Sequence, residues 1–226
     1  MNSAIIVAAG RSERMGGKMD KAFLSLGSHP VLAYSLRVFQ ECSDIDSIVL
    51  VVRREQQIAA KSVVKLFGIA KLRAIVAGGT LRQASVEQGM QALDPDTRIV
   101  CVHDAARPCV TSALISETIK SAKRHGSGVA ATRITDTVKI VERGQVVAST
   151  LDRSKVWTVQ TPQTFRFELL RRAFDELSSS GGEVTDESSA VERLGENVHL
   201  VQSLLPNIKI TTPDDLQVAA ALLGIQ

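Results

Sequence analysis

Apolar residues along this chain fall into short unbroken runs that take turns with longer, periodic stretches. The runs at 4–8, 47–52, 72–76 and 98–103 are rich in Val, Ile and small residues and show little polar alternation, the pattern of strands buried on both faces. Between and after them, 30–40, 55–67, 81–92 and 112–125 carry apolar residues at helical spacing, with Thr111 or Ser112 as the N-cap of the fourth. Strand and helix alternating at this rhythm predict a mostly parallel sheet covered on both faces, with ligands outside the carboxyl ends of its strands. The rhythm then breaks. Two β-rich runs, 137–141 and 145–150, flank Glu142-Arg143-Gly144 as a hairpin, with no helix to cover it. A helix at 167–177, the polar stretch SSSGGEVTDESS read as a mobile loop, strands at 198–204 and 208–210, and a proline-started helix at 213–223 complete the chain. Without a repeat or a linker, residues 1–226 are expected to form one domain, with a projecting arm at about 136–156.

Composition narrows the functional classes. An apolar share of 44% supplies a core that needs no disulfide or metal staple. A net charge of +3, from 27 basic and 24 acidic residues, is too small for a nucleic-acid wrapper but allows a local cationic pocket. Cys42, Cys101 and Cys109 lack metal or redox spacing and read as reduced thiols of a cytoplasmic protein, and the four histidines lie far apart. No leader and no membrane span is expected.

The candidate chemistry starts at AAGRSERMGGKMDK, residues 8–21, directly behind the first strand. Gly10, Gly16 and Gly17 give such a loop access to positive φ, which aims several N–H groups at one anion, and Arg14, Lys18 and Lys21 add charge-assisted bonds to phosphate. The plainer alternative is a solvated basic loop; the stretch is neither a P-loop nor a dinucleotide fingerprint. AGGTLRQASVEQGM, residues 77–90, sets a second glycine pair ahead of a helix start near Thr80, another anion or base-reading site. In VHDAARP, residues 102–108, a strand ends on Asp104, suited to hold Mg²⁺ beside a triphosphate or, more plainly, to cap a turn. His103 reads as a packed strand-end residue, and Arg107 as a partner for a local carboxylate.

These stretches occur in a telling order: AAGxxxRM at 8–15, Lys21 with Phe23-Leu24, GGxxRxxSV at 78–86, HDAARP at 103–108, DTVK at 136–139, LDR at 151–153, TPQ at 161–163, TDE at 185–187 and NIKIT at 207–211. Together they resemble the 2-C-methyl-D-erythritol 4-phosphate cytidylyltransferases of non-mevalonate isoprenoid biosynthesis, over almost the whole chain. The resemblance implies a Rossmann-like α/β nucleotidyltransferase that joins CTP to a sugar-alcohol phosphate with Mg²⁺. It implies Arg14 and Lys21 as catalytic cations and Asp104 as the metal-bearing carboxylate. Ala8, Ala9, Gly10, Gly79, Thr80, Ser85 and Ala105 would surround the nucleotide, and Thr137, Arg153 and Lys209 the acceptor. It further implies a homodimer through exchanged arms, so that Thr137 and Arg153 serve the neighbouring subunit's site. The chain departs from many relatives at Ser12, where a second glycine is common, and at Asp20-Lys21-Ala22, where Pro-Lys-Gln is common.

The implied chemistry suits the composition. A phosphate monoester is already an anion and needs no general base, so cancellation of negative charge is the main requirement. Two rivals remain at this level: a ribitol- or other pentose-phosphate cytidylyltransferase, and a non-catalytic nucleotidyltransferase-like regulatory module, against which Arg14, Lys21 and Asp104 together argue.

Overall fold

A computed structural model describes residues 1–10 and 20–225. Its centre is β1 (Asn2–Ala8), flanked in parallel by β4 (Ser47–Val52) on one side and β6 (Ile99–Asp104) on the other. Beyond β4 lies β5 (Leu72–Ala77), also parallel. Beyond β6 lies the antiparallel β10 (Trp157–Arg166), then β7 (Ser127–Arg133) and β11 (Leu200–Gln202), giving the order β11-β7-β10-β6-β1-β4-β5. A two-residue hairpin, β2 (Ser25–Leu26) with β3 (His29–Pro30), follows the first strand's loop.

Alternate residues of the central strands feed two apolar layers, as the period of two in a strand requires. Ala4, Ile6 and Ala8 join Ile48, Leu50 and Val52 under α1 (Val31–Glu41), α2 (Gln57–Leu66) and α4 (Ser112–His125). Ile5, Val7, Val49 and Val51 pack beneath α3 (Arg82–Gln91), α5 (Phe167–Ser180) and α6 (Glu187–Arg193). The last helix, α7 (Asp214–Leu223), closes a small third cluster around Ile210 and Ala219. Thr111, one of two candidates for the N-cap of α4, takes that place by accepting from the Leu114 N–H. No described helix is long and apolar enough to cross a membrane.

Four expectations need correcting. Strands β7 and β10 were absent from the sequence-based reading. Residues 208–210 form no strand, although Ile210 N–H still donates to the Ala106 carbonyl at 2.8 Å. The strand expected over 198–204 shrinks to β11. The polar stretch at 178–189 is not one loop: α5 runs to Ser180 and ends on Gly181 at φ +68°, and α6 starts at Glu187 because Asp186 caps it, accepting from the Ser189 N–H at 3.0 Å.

The predicted hairpin is present as β8 (Lys139–Arg143) and β9 (Val146–Thr150), a two-stranded sheet of its own whose residues are all exposed. Gly144 turns it at φ +55°.

Helix α3 reaches the sheet through Gly89. A Cβ there would lie 2.6 Å from Ile5 Cγ2 and 3.1 Å from Val51 Cγ2. Alanine would favour the helix by up to about 1 kcal/mol, but overpacking a core costs typically about 1–3 kcal/mol. Gly89→Ala is therefore expected to lower the urea-unfolding free energy by about 1 kcal/mol or more; an unchanged or raised value would show that the layer yields freely.

Candidate active site

The carboxyl ends of β1, β4, β5 and β6 open onto one cleft of about 890 Å³. Ala8, Ala9 and Gly10 leave β1 along its floor, and Lys21 stands on a short 3₁₀ turn, Lys21–Phe23, at its wall. Gly10, one of the three glycines with access to positive φ, is not in that region here. Arg14, with Ser12, Gly16, Gly17 and Lys18, lies outside the described residues.

The opposite wall is Gly78, Gly79 and Thr80, between β5 and α3. These two glycines are set by close approach, since a Cβ on Gly78 would collide with Ala9 and Ser85, and one on Gly79 with Ala84. Ser85 braces the loop: its hydroxyl accepts from the Gly79 N–H at 3.2 Å and donates to the Leu81 carbonyl at 3.1 Å. Helix α3 begins at Arg82, close to the expected start near Thr80, and its N-cap residue Leu81 makes no side-chain cap, so no capping side chain satisfies its first N–H groups.

Asp104 ends β6 inside this cleft. Its Oδ1 accepts from Arg82 Nε at 3.1 Å and Nη2 at 3.0 Å, and its Oδ2 accepts from Lys209 Nζ at 2.6 Å. Arg82 is itself clamped from behind by Glu187 on α6, with Nη1 to Oε1 at 2.5 Å and Nη2 to Oε2 at 3.1 Å. Burial on its own would raise the Asp104 pKa, but the charges of Arg82 and Lys209 outweigh it and hold the carboxyl well below its ordinary range. Burial likewise disfavours the Arg82 cation, and Glu187 with Asp104 more than compensate, so the guanidinium stays charged. The side chain of Asp104 caps no turn; only its carbonyl does, accepting from the Arg107 N–H at 3.0 Å.

A second network fixes the strand end from below. Thr161 Oγ1 accepts from the Asp104 N–H at 3.0 Å and lies 3.2 Å from His103 Nδ1. The other ring nitrogen, Nε2, lies 3.2 Å from the Arg107 carbonyl, which can only accept. His103 therefore carries its proton on Nε2 and accepts from Thr161 at Nδ1. Fully buried and packed on Phe39, it is the strand-end residue expected. Among the described residues Arg107 forms no ion pair with a carboxylate; it donates to the Asn207 carbonyl at 2.7 Å.

Of the expected site residues, Ala8, Ala9, Gly10, Lys21, Gly79, Thr80, Ser85, Asp104 and Lys209 thus share one cleft, with Ala105 buried just behind it. Thr137 and Arg153 do not line it. Both are exposed at the base of the arm, where Arg153 Nη1 donates to the Thr135 carbonyl at 2.7 Å. Arg82 and Glu187 were missed as functional residues although both fall inside quoted motifs, GGxxRxxSV and TDE.

Glycine-walled strand ends, with cations gathered around one ionised carboxylate, define a nucleotidyltransferase of Rossmann-like build. The family model described as IspD: 2-C-methyl-D-erythritol 4-phosphate cytidylyltransferase matches residues 2–225. A 2-C-methyl-D-erythritol 4-phosphate cytidylyltransferase of Alkaliphilus oremlandii is 40% identical over 222 residues, 98% of this chain and 94% of the relative. One of Dehalococcoides mccartyi is 44% identical over 220 residues, 97% and 95% of the two chains. The crystal structure of 4-diphosphocytidyl-2C-methyl-D-erythritol synthase from Anaerococcus prevotii superposes with a TM-score of 0.87 at 33% identity, covering 99% of this chain and 98% of the other. The chain belongs to the 2-C-methyl-D-erythritol 4-phosphate cytidylyltransferase family, and is an enzyme of that kind.

The buried imidazole gives this site a pH dependence. Burial pushes the His103 pKa down to about 3, against the pull of Asp104. Between there and its ordinary value near ~6.5, the unfolded chain takes up a proton that the folded chain does not, so stability falls as pH drops through that window. The wild type should lose about 2 kcal/mol more than His103→Gln between about pH 7 and pH 5, whatever the variant's absolute stability. Parallel urea-unfolding profiles would contradict the buried neutral ring.

Proposed function

We propose that this chain transfers CMP from CTP to 2-C-methyl-D-erythritol 4-phosphate, releasing pyrophosphate, with Lys21 and Arg14 as its catalytic cations. One observation carries the reading of the site: Lys21, Arg82 and Lys209 stand in a cleft walled by paired glycines, and Arg82 and Lys209 both bind the ionised Asp104. In this reaction an oxygen of the acceptor's phosphate attacks the α-phosphorus of CTP in line. The bond from that phosphorus to the bridging oxygen breaks, and pyrophosphate leaves with the electron pair. The acceptor is already anionic, so no side chain has to remove a proton. Two polyanions must meet, and the leaving group gains charge; fixed cations lower that barrier electrostatically. Ala8, Ala9, Gly10, Gly79, Thr80, Ser85 and Ala105 surround the nucleotide, and Lys209 meets the acceptor.

The residues fit a divalent ion. Asp104 offers an ionised oxygen donor, the type Mg²⁺ takes, and Lys209, which shares Oδ2, is a third exposed and able to move aside. Among the described residues no group of three or more His, Cys, Asp or Glu gathers, and a Mg²⁺ ion held by one carboxylate would take its other ligands from phosphates and water. Asp104 would hold such an ion, whose chemistry would be to offset phosphate charge. The unpaired buried thiols suit a reducing, cytoplasmic setting.

The arm supports a homodimer in which Thr137 and Arg153 reach the partner's cleft. Val146 is 75% exposed and Val147 52%, on a hairpin that forms a sheet by itself; a second subunit would cover both its edges and its apolar side chains.

Pyrophosphate release from CTP, measured with methylerythritol phosphate and separately with ribitol 5-phosphate, tests the reaction. Turnover with the first acceptor alone is expected, and preference for the second would reassign the substrate. Lys21→Ala should lower kcat by roughly 10²–10³-fold, the scale of losing one transition-state donor, while circular dichroism stays native. Turnover near wild type would remove Lys21 from the chemistry.

Subunit complementation tests the crossed arm. Arg153→Ala and Lys21→Ala, each poorly active alone, should regain activity when mixed, because one site of a mixed dimer then holds both residues intact. If Arg153 serves its own subunit, every site stays damaged, and no activity returns once subunit exchange is verified.

A further inference from the structure

Asp20 is a buried acid in the cleft wall for which the transfer chemistry has no role. Its side chain is 1% exposed, a setting in which carboxylates persist only when paired. Oδ1 accepts from the Ala22 N–H at 3.1 Å, capping the turn that carries Lys21. Oδ2 accepts from Nε of Arg53 at 3.2 Å, the residue directly after β4. Arg53 also meets Glu55 at 3.1 Å, and the Asp20 carbonyl accepts from the Phe23 N–H at 2.9 Å. On the other side of Lys21, Ala22 is 2% exposed and packs into the same core layer as Ala8, Leu50 and Val52. Lys21 is thus carried on a turn held at both of its neighbours: by an ion pair to the end of β4, and by apolar packing to the sheet.

We propose that Asp20 is a positioning residue for Lys21, tying the Lys21 turn to the end of β4 through Arg53 and so setting where the Lys21 ammonium meets the phosphates of the nucleotide. This rests on the reading of Lys21 as a catalytic cation. An acid beside a triphosphate would normally repel it. Here the charge of Asp20 is directed onto Arg53, so the acid contributes rigidity while Arg53 offsets its field. Burial pushes the Asp20 carboxyl up from its ordinary value, and the Ala22 amide and Arg53 pull the other way. A lysine has a long, flexible stem, and an ammonium displaced by about 1 Å can lose on the order of 10²-fold in rate. Fixing its backbone on both sides is the lever that this sequence provides.

The test is steady-state kinetics with CTP and methylerythritol phosphate on the wild type, Asp20→Asn, Lys21→Ala and the double variant. Asparagine keeps the side chain's shape and can still cap Ala22, but removes the ion pair. Asp20→Asn should lower kcat by about 10- to 100-fold while the KM for CTP changes little, and should produce no further loss in the Lys21→Ala background. Wild-type kcat in Asp20→Asn, with or without a lowered melting temperature, would overturn the proposal; so would losses that multiply in the double variant, because Asp20 would then act independently of Lys21. Failure of the underlying reading shows separately, as near-wild-type turnover of Lys21→Ala itself. If Asp20→Asn does not fold, Arg53→Gln removes the other half of the pair from a side chain that is 29% exposed, and is read against the same outcomes.

Discussion

Asp104 keeps a full negative charge where water barely reaches, and much of the molecule is arranged around that fact. An ionised carboxylate at 10% side-chain exposure needs cations at contact distance. Arg82 supplies one from the first turn of α3, and Lys209 supplies another from a segment 105 residues further along the chain. Arg82 is in turn too buried to stand alone, so Glu187 balances it from α6. Two acids and two bases therefore lock the ends of β6 and α3, the start of α6 and the 207–211 segment together. Removing one member of such a set leaves an uncompensated buried charge, on the order of 3–5 kcal/mol. Burying charge this way is a weak source of net stability. What it provides is a fixed location inside the cleft for one carboxylate and the Arg82 cation, with Lys209 beside them.

The parallel half of the sheet was legible in the sequence because β1, β4 and β6 are buried on both faces and so written largely as apolar runs, as at Ala4–Ile5–Ile6–Val7. The antiparallel half was not. Strand β7 reads Ser-Gly-Val-Ala-Ala-Thr-Arg, small residues with weak β signal, because α4 lies almost directly on it: a Cβ on Gly128 would collide with the Thr118 carbonyl. Strand β10 contains Pro162 amid Thr and Gln, a composition that argues against a central strand. It is tolerated where the ladder to β7 shifts between Val159 and Gln163. The polar side chains buried in its middle have partners. Thr161 serves Asp104, Thr164 donates to Thr118 at 2.9 Å, and Gln163 donates to Asp186 at 2.8 Å while accepting from Ser188 N–H. Pairings of that kind depend on residues distant in sequence, and no local pattern announces them.

The same division holds within the site. Glycine pairs, a strand-terminal aspartate and a lysine behind the first loop are local features, visible as short motifs. The pairing of Arg82 with Glu187 spans 105 residues, and that of Asp20 with Arg53 spans 33; both required the fold to be known. TDE looked like loop because its residues are polar. Yet Asp186 caps a helix, and Glu187, 1% exposed, is among the most buried acids in the chain.

The two oxygens of Asp104 are not equivalent, and that difference bears on how one site handles two polyanions in turn. Oδ1 faces Arg82, whose Nη1 and Nη2 also bind Glu187, an acid only 1% exposed. Oδ2 faces Lys209, a single ammonium on a flexible stem that is a third exposed. A phosphate entering the cleft competes with Oδ2 for that ammonium but cannot readily detach Arg82, because doing so would strand Glu187 without its partner. In the proposed reaction one oxygen therefore keeps the strand end and α3 in register throughout. The other would be released if Lys209 turned to an incoming phosphate, leaving Asp104 an anionic oxygen that could hold a divalent ion.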